Sequence, residues 1–346
     1  MKCLFAIVTA VLFLAIPAQA IEISAPTVPD VAQEYMPTDP QNLLEGIREV
    51  IRIAVSRARP DIREASAVCI GMIAVAVILS VFRTLPGISS KTADLAGAVC
   101  LSTQMLSSAT ALINLAADTV TRISEYGKML LPPMTAALAA QGRITSSTAL
   151  YAGTAVFDAL LSSVISNLLI PMTYMFLAVA IVVSGIEEGM LAQCRDFIKS
   201  CITWTLKTVL YVFTGFIGIT GVISGSTDAA ALKAAKLTIS GVVPVVGGIL
   251  ADASEAVLVS AGAVKNAAGL YGLFALAAIW CGPFVKIGVH YLMLRFTGMI
   301  CSIFGGKKLS TLIQDFSTAL GMMLGMTGAV CMMFLISLMC FMKGVG

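Results

Sequence analysis

Few residues in this chain could carry chemistry. Asp158 stands inside an apolar stretch that runs from about Ala149 to Ile186. A carboxylate at that depth is a candidate proton or ion relay if the helix crosses lipid around it, and an interfacial group if the helix begins after it. Asn114 closes the polar face of another uncharged run, Leu95 to Ala117, which also carries Ser102, Thr103, Gln104, Ser107, Ser108 and Thr110. Asp158 and Asn114 are therefore the candidate intramembrane polar sites. Lys286 and the single histidine, His290, are spaced i, i+4 on one helix face. They could line a wet path, or the lysine could snorkel to an interface.

Other chemistries lack their parts. One histidine cannot build a two-histidine metalloprotease site or a multi-histidine metal cluster. Gly305-Gly306-Lys307-Lys308 has neither the upstream glycine nor the following Ser or Thr of a phosphate loop. Gly87-Ile88-Ser89-Ser90 has the look of a serine turn, but no spacing identifies a base for it. Beyond Cys3, the cysteines are Cys69, Cys100, Cys194, Cys201, Cys281, Cys301, Cys331 and Cys340, none in C-x-x-C spacing. Most fall in apolar runs, where cysteine acts as a small hydrophobe. Cys194 and Cys201, seven apart on a helix, would lie about 10 Å apart along the axis, beyond the ~7 Å that a disulfide bridges. No catalytic residue, cofactor or metal is expected.

These residues sit in a polypeptide built for lipid. Of its 346 residues, 58% are strongly apolar and 12% charged, with mean hydropathy +0.95. Ordinary soluble domains carry about 25% charged residues. A chain of this size has too little interior to hide that apolar surface. The net charge of +3 is spread without a basic stripe, which excludes a nucleic-acid partner. Clear spans are Ala65–Phe82, Leu95–Ala117, Ala159–Ile186, Thr208–Ser224, Ala267–Val285 and Thr318–Met342. The stretch through Pro171 is too long for one straight crossing, so it is one kinked helix or two short ones. Met129–Ala140 and Leu237–Ala251, with proline or glycine pairs, are candidate re-entrant segments. The expected fold is an all-α polytopic membrane bundle of about six to eight spans.

Residues 1–20 have the form of a secretory signal: Lys2, an apolar run from Leu4 to Ile16, and Ala18-Gln19-Ala20 as the cleavage site. Residues 21–64 would then be an exported segment and 65–346 the transmembrane domain. That orientation places Arg48, Arg52, Arg57, Arg59 and Arg63 outside, against the usual excess of basic residues in the cytoplasm. Within the exported segment Leu44, Ile47, Ile51 and Val55 recur at helical spacing, opposite Glu45, Arg48, Glu49 and Arg52. Such an amphipathic helix lies on a membrane surface or packs on the rest of the protein.

Thirty-nine residues separate Pro132 from Pro171, and also Pro244 from Pro283, which raises an internal repeat of the kind found in transporters, or a coincidence among prolines. Gly215, Gly218 and Gly221, and Gly321 with Gly325, form small-residue seams suited to close helix approach, inside the chain or toward a second membrane protein.

The most specific stretch is Pro244-Val-Val-Gly247-Gly248, then Asp252-Ala253, then Lys265-Asn266-Ala-Ala-Gly269; Leu130-Leu131-Pro132 with Leu138-Ala139-Ala140 and Gly142 adds a second motif. Together these closely resemble the stage III sporulation protein AE family of spore-forming Firmicutes, along the whole chain. The sequence departs from the family pattern in its short exported region and its richness in methionine and cysteine. The resemblance implies a non-enzymatic, multi-pass membrane protein made in the mother cell. It would be a platform or pore subunit of the channel to the engulfed forespore, in the mother-cell-derived membrane around it. The implied partners are the other stage III sporulation A-group membrane proteins, including ring-forming and ATPase components. The resemblance brings no catalytic residues with it, and its motif positions are Pro132, Pro244, Gly247, Gly248, Asp252, Lys265, Asn266 and Gly269. From a different class, a stand-alone secondary transporter with a midplane site near Asp158, Pro132 and Pro244 is the alternative.

Overall fold

The computed structural model describes residues 26–38, 43–82, 90–185, 189–242, 247–304 and 307–343, with side chains described except for 220–267 and a few segment ends. The signal-like residues 1–20, and Pro244, lie outside the described residues. In chain order the helices are α1 (Asp30–Gln33), α2 (Leu43–Arg57), α3 (Arg59–Phe82), α4 (Ser90–Ala140), α5 (Ile144–Val164), a π-turn (Ile165–Leu169), α6 (Ile170–Gly185), α7 (Gly189–Val242), α8 (Gly247–Phe304) and α9 (Lys307–Lys343). No strand occurs among the described residues. Six stretches, in α3, α4, α5–α6, α7, α8 and α9, are long and apolar enough to cross a membrane. The protein is an all-α polytopic bundle.

Helices α8 and α9 pack on each other most extensively, and α4 lies against both. This trio forms the centre. Leu101, Ile113, Ile123, Leu130 and Met134 of α4 are fully buried there, as are Phe316, Met323, Phe334 and Phe341 of α9. Helix α3 covers α8 and α4, whereas α5, α6 and α7 close the opposite flank.

Two levels of ion pairs bracket an apolar interval. Lys308 pairs with Asp94 at 3.2 Å, near the Phe82 end of α3, where Leu79 and Leu309 flank Gly97. At the other end of α3, Lys286 lies 3.4 Å from Asp61 and 3.5 Å from Glu64. Between them α3 runs uncharged from Ala65 to Phe82, about 27 Å at 1.5 Å per residue, close to the ~30 Å of a hydrocarbon core. Its outward side chains, Ile70, Val77, Ile78 and Val81, are exposed and apolar, as a lipid-facing stripe must be.

Several local details differ from the sequence expectation. Met129–Ala140 is no separate re-entrant segment but the last turns of α4, which stays helical through Pro132 and Pro133. The chain reverses instead at Gly142, whose φ of 79° ends the helix in the left-handed region while Leu138 O accepts from Gln141 N and Arg143 N. The long stretch through Pro171 is one continuous helical path with a π-turn just before the proline. Pro171 cannot donate to the carbonyl four residues back and its ring crowds that carbonyl; the wider π-turn makes room.

The amphipathic helix α2 uses two parts of its apolar side. Gly46, Val50 and Ala54 are buried against α8, and a Cβ at Gly46 would strike the Phe274 ring. Leu44, Ile51 and Val55 form the adjoining stripe and remain exposed. The preceding segment is also anchored: Val28 and Ala32 are buried, Tyr126 Oη donates to Pro26 O at 3.5 Å, and Tyr35 packs where Gly282 of α8 leaves space. Arg57 stacks over the Tyr35 ring and pairs with Glu34. Burial raises the Tyr35 pKa above its ordinary value, partly opposed by Arg57.

Of the two glycine seams, one is used inside the chain. Gly321 faces Tyr291 and Gly325 faces Leu206, joining α9 to α8 and α7. A Cβ at Gly215 or Gly218 would meet nothing within 4 Å, so that part of the α7 seam packs against no other part of the described chain. The cause is that α7 is peripheral: Phe197, Trp204 and Tyr211, at seven-residue spacing, are 69%, 70% and 73% exposed.

Candidate functional site

Asp158 sits on the inner face of α5, and its side chain is fully buried. Helix α4 supplies its partners. Ser124 Oγ donates to Asp158 Oδ2 at 2.7 Å, and Lys128, one turn further on, brings Nζ to 3.4 Å from the same oxygen. Ser162, one turn along α5, donates to Oδ1 at 3.3 Å. The ammonium side chain is 56% exposed. The carboxylate is thus dry, and the lysine reaches it from the exposed side of the interface. A buried charge needs this full set of partners, because an unpaired one would be strongly destabilising.

Sequence spacing alone missed Ser124 and Lys128. Their signal was present as an i, i+4 polar pair on the helix that follows the Leu95–Ala117 run, but nothing in the sequence aligns that face with Asp158.

The same α5 face makes a second polar contact. Thr154, also fully buried, lies 2.6 Å from Ser337 of α9 through their hydroxyls. Asn114 is spent similarly: its Oδ1 accepts from Tyr174 Oη of α6 at 3.3 Å. The structure does not bring Asn114 and Asp158 into one constellation. Each joins α4 to a different part of the continuous α5–α6 helical path.

Lys286 and His290 also part company. Lys286 reaches α3 through Asp61 and Glu64, and His290 is buried with Nδ1 3.0 Å from the Lys286 carbonyl of its own helix. Between α7 and α9, Arg195 forms a largely buried pair with Asp315 at 2.9 Å. Among the described residues no group of three His, Cys, Asp or Glu side chains could hold a metal ion, and the eight cysteines are free.

The motif positions with described surroundings, Pro132 and Gly269, fall at the junction of α4, α8 and α9. Met134, two residues after Pro132, faces Gly269, and Leu130 faces Gly272. A Cβ on Gly269 would lie 2.6 Å from Met342 Cγ and 3.1 Å from Met134 Cε. The two motif stretches, far apart in sequence, therefore meet at glycines of α8 that have no room for a side chain. Gly247, Gly248, Asp252, Lys265 and Asn266 belong to the first turns of α8 and its continuation, and their side chains lie outside the described residues.

Comparison with known proteins adds an independent finding. The family described as Stage III sporulation protein AE matches residues 38–344. A curated relative, "Stage III sporulation protein AE" of Bacillus subtilis (strain 168), is 23% identical over 226 residues, covering 65% of this chain. The chain spans 57% of that relative's length. No solved structure matches the chain.

Proposed function

The chain belongs to the stage III sporulation protein AE family, and from that premise we propose that it is a non-enzymatic platform or pore subunit of a conduit joining mother cell and forespore. It would reside in the mother-cell-derived membrane around the engulfed forespore. Its partners would be the other stage III sporulation A-group membrane proteins, ring-forming and ATPase components among them.

The observation that carries this reading is how the polar side chains at the helix contacts, buried and exposed, are used. Asp158, Ser124, Ser162, Thr154, Ser337, Asn114 and Tyr174 are engaged in contacts between or along helices. Such contacts fix helix positions rather than bind a passing solute. The exposed α7 face, with Trp204, Tyr211, Gly215 and Gly218, has the small and aromatic residues that a partner helix could pack on. The motif positions Pro132, Pro244, Gly247, Gly248, Asp252, Lys265, Asn266 and Gly269 are assigned to packing and assembly in this account. A strain lacking the protein should grow normally and stall in spore development after engulfment; a wild-type yield of spores would overturn the proposal.

One observation favours a second reading, a stand-alone secondary transporter: a fully buried carboxylate, Asp158, precedes a π-turn in the same helical path. Purified protein in liposomes separates the two. Solute flux by this chain alone, lost in Asp158→Asn, would support transport and reject the platform.

A further inference from the structure

A cavity of about 410 Å³ opens between α7, α8 and α9, bounded in part by Lys199, Lys207, Arg295, Thr203, Thr318 and Tyr291. Its lining contains three cationic side chains and no carboxylate. None of the three forms a salt bridge among the described residues; Lys199 only adds its field to that of Arg195 at Asp315, and Lys207 and Arg295 have no such carboxylate among the cavity's lining residues.

The depth of the cavity makes this imbalance informative. Lys286 marks one ion-pair level of the bundle, and α8 reaches the opposite end at Phe304. Arg295 lies midway, about 13 Å along the axis from Lys286. Lys199 lies about 15 Å along α7 from its start at Gly189. Neighbouring outward side chains at this depth, Phe197, Trp204, Leu292, Phe296 and Met299, are exposed and apolar, suited to lipid or to a partner helix and not to water. Cations in such surroundings are costly unless a counter-charge or water reaches them.

Gly321 and Gly325 keep the α9 wall of the cavity low, so the space is not filled from within. Arginine provides a planar fork of donors and lysines provide compact point charges, a combination that suits a multiply charged oxyanion. We propose that Lys199, Lys207 and Arg295 form a binding site for a phosphate-bearing anion, either a phospholipid headgroup drawn in from the bilayer or a free phosphorylated solute. The hydroxyls of Thr203, Thr318 and Tyr291 are placed on the same lining to add neutral hydrogen bonds to its oxygens. This site is independent of the conduit assignment.

The test uses the full chain in phosphatidylcholine nanodiscs. Inorganic phosphate is titrated against chloride at equal ionic strength, and in a second arm part of the phosphatidylcholine is replaced by phosphatidylglycerol. Thermal unfolding and retention of bound lipid in native mass spectrometry are the readouts. Stabilisation by inorganic phosphate assigns the site to a free solute; stabilisation and a retained adduct only with phosphatidylglycerol assign it to the lipid. Either effect should weaken at least tenfold in a Lys199→Gln, Lys207→Gln, Arg295→Gln variant and survive in Arg295→Lys. Gly325→Leu, which fills the cavity without touching charge, should give the same loss. No stabilisation in either arm, or equal binding by wild type, the glutamine variant and Gly325→Leu, overturns the proposal.

Discussion

Ser124 and Asp158 face each other across the α4–α5 interface, the serine hydroxyl donating to the carboxylate at 2.7 Å with Lys128 closing on the same oxygen. The pair helps to set the register between the two helices. Removing one member while leaving the charge behind is therefore worse than removing the group entirely.

Lys128→Met and Ser124→Ala should each destabilise the protein in detergent by about 1–3 kcal/mol, since both strip a partner from a buried carboxylate. The double variant Lys128→Met/Asp158→Asn should recover part of the Lys128→Met loss. Thermal or denaturant unfolding of the three proteins checks the order; a double variant less stable than Lys128→Met alone would contradict it.

Glycines divide by what faces them. Gly127→Leu should destroy packing, because a Cβ there would run into the buried Phe334 ring. Gly218→Ala, with open space around it, should leave the isolated protein unchanged or up to about 1 kcal/mol more stable through helix propensity. Unfolding midpoints of the two variants test this contrast. In sporulating cells, Gly218→Leu and the pair Gly247→Leu/Gly248→Leu should each fail to complement a deletion, and normal spore yield would sink the assembly role of that position.

Ion pairs should rank by burial. Glu34→Gln removes an exposed partner of Arg57 and should change stability by less than about 1 kcal/mol. Asp315→Asn leaves Arg195, only 14% exposed, with the weaker Asp196 contact and should cost about 2–4 kcal/mol. Equal effects in the same unfolding assay would refute the ranking.

Among the contacts that anchor the segment before α2, the seating of Tyr35 beside Gly282 should be a necessary one. Ala32→Cys is expected to resist a membrane-impermeant maleimide in the folded protein, as Ala32 is buried. Adding Gly282→Leu, which fills the space beside the Tyr35 ring, should make that cysteine reactive. Equal labelling of both proteins would show that the Tyr35–Gly282 contact is not needed to hold the segment.

Much of this architecture was legible in the residues. Six apolar runs correspond to the six long helices, because a span is specified by average composition over many residues and tolerates local noise. Boundaries were less legible. Helix α7 starts at Gly189, before the expected Thr208, because Arg195, Asp196, Lys199 and Lys207 interrupt the apolar signal without interrupting the helix. Contacts between distant segments were not legible at all. Val28 and Ala32 sit among four scattered prolines and give no periodic sign of burial, yet they fill a groove made by α4 and α8. Asp158 stood out as a lone charge, whereas Ser124 is one serine among many until the fold points it at the carboxylate. The Gly215–Gly218 seam was visible as spacing, but spacing cannot tell which of two neighbours a helix chooses.

Helix α4 has 51 residues, about 76 Å of uninterrupted α-helix, and a bilayer core consumes less than half of that. The surplus is capped by a sharp reversal at Gly142 and gripped by α5 at Ser124, by α9 at Gly127 and by α8 at Leu130, so it is a stiff post and not a tether. A post of that height gives the protein reach: it can hold whatever docks on its end in a fixed position, which a flexible loop of equal length could not do.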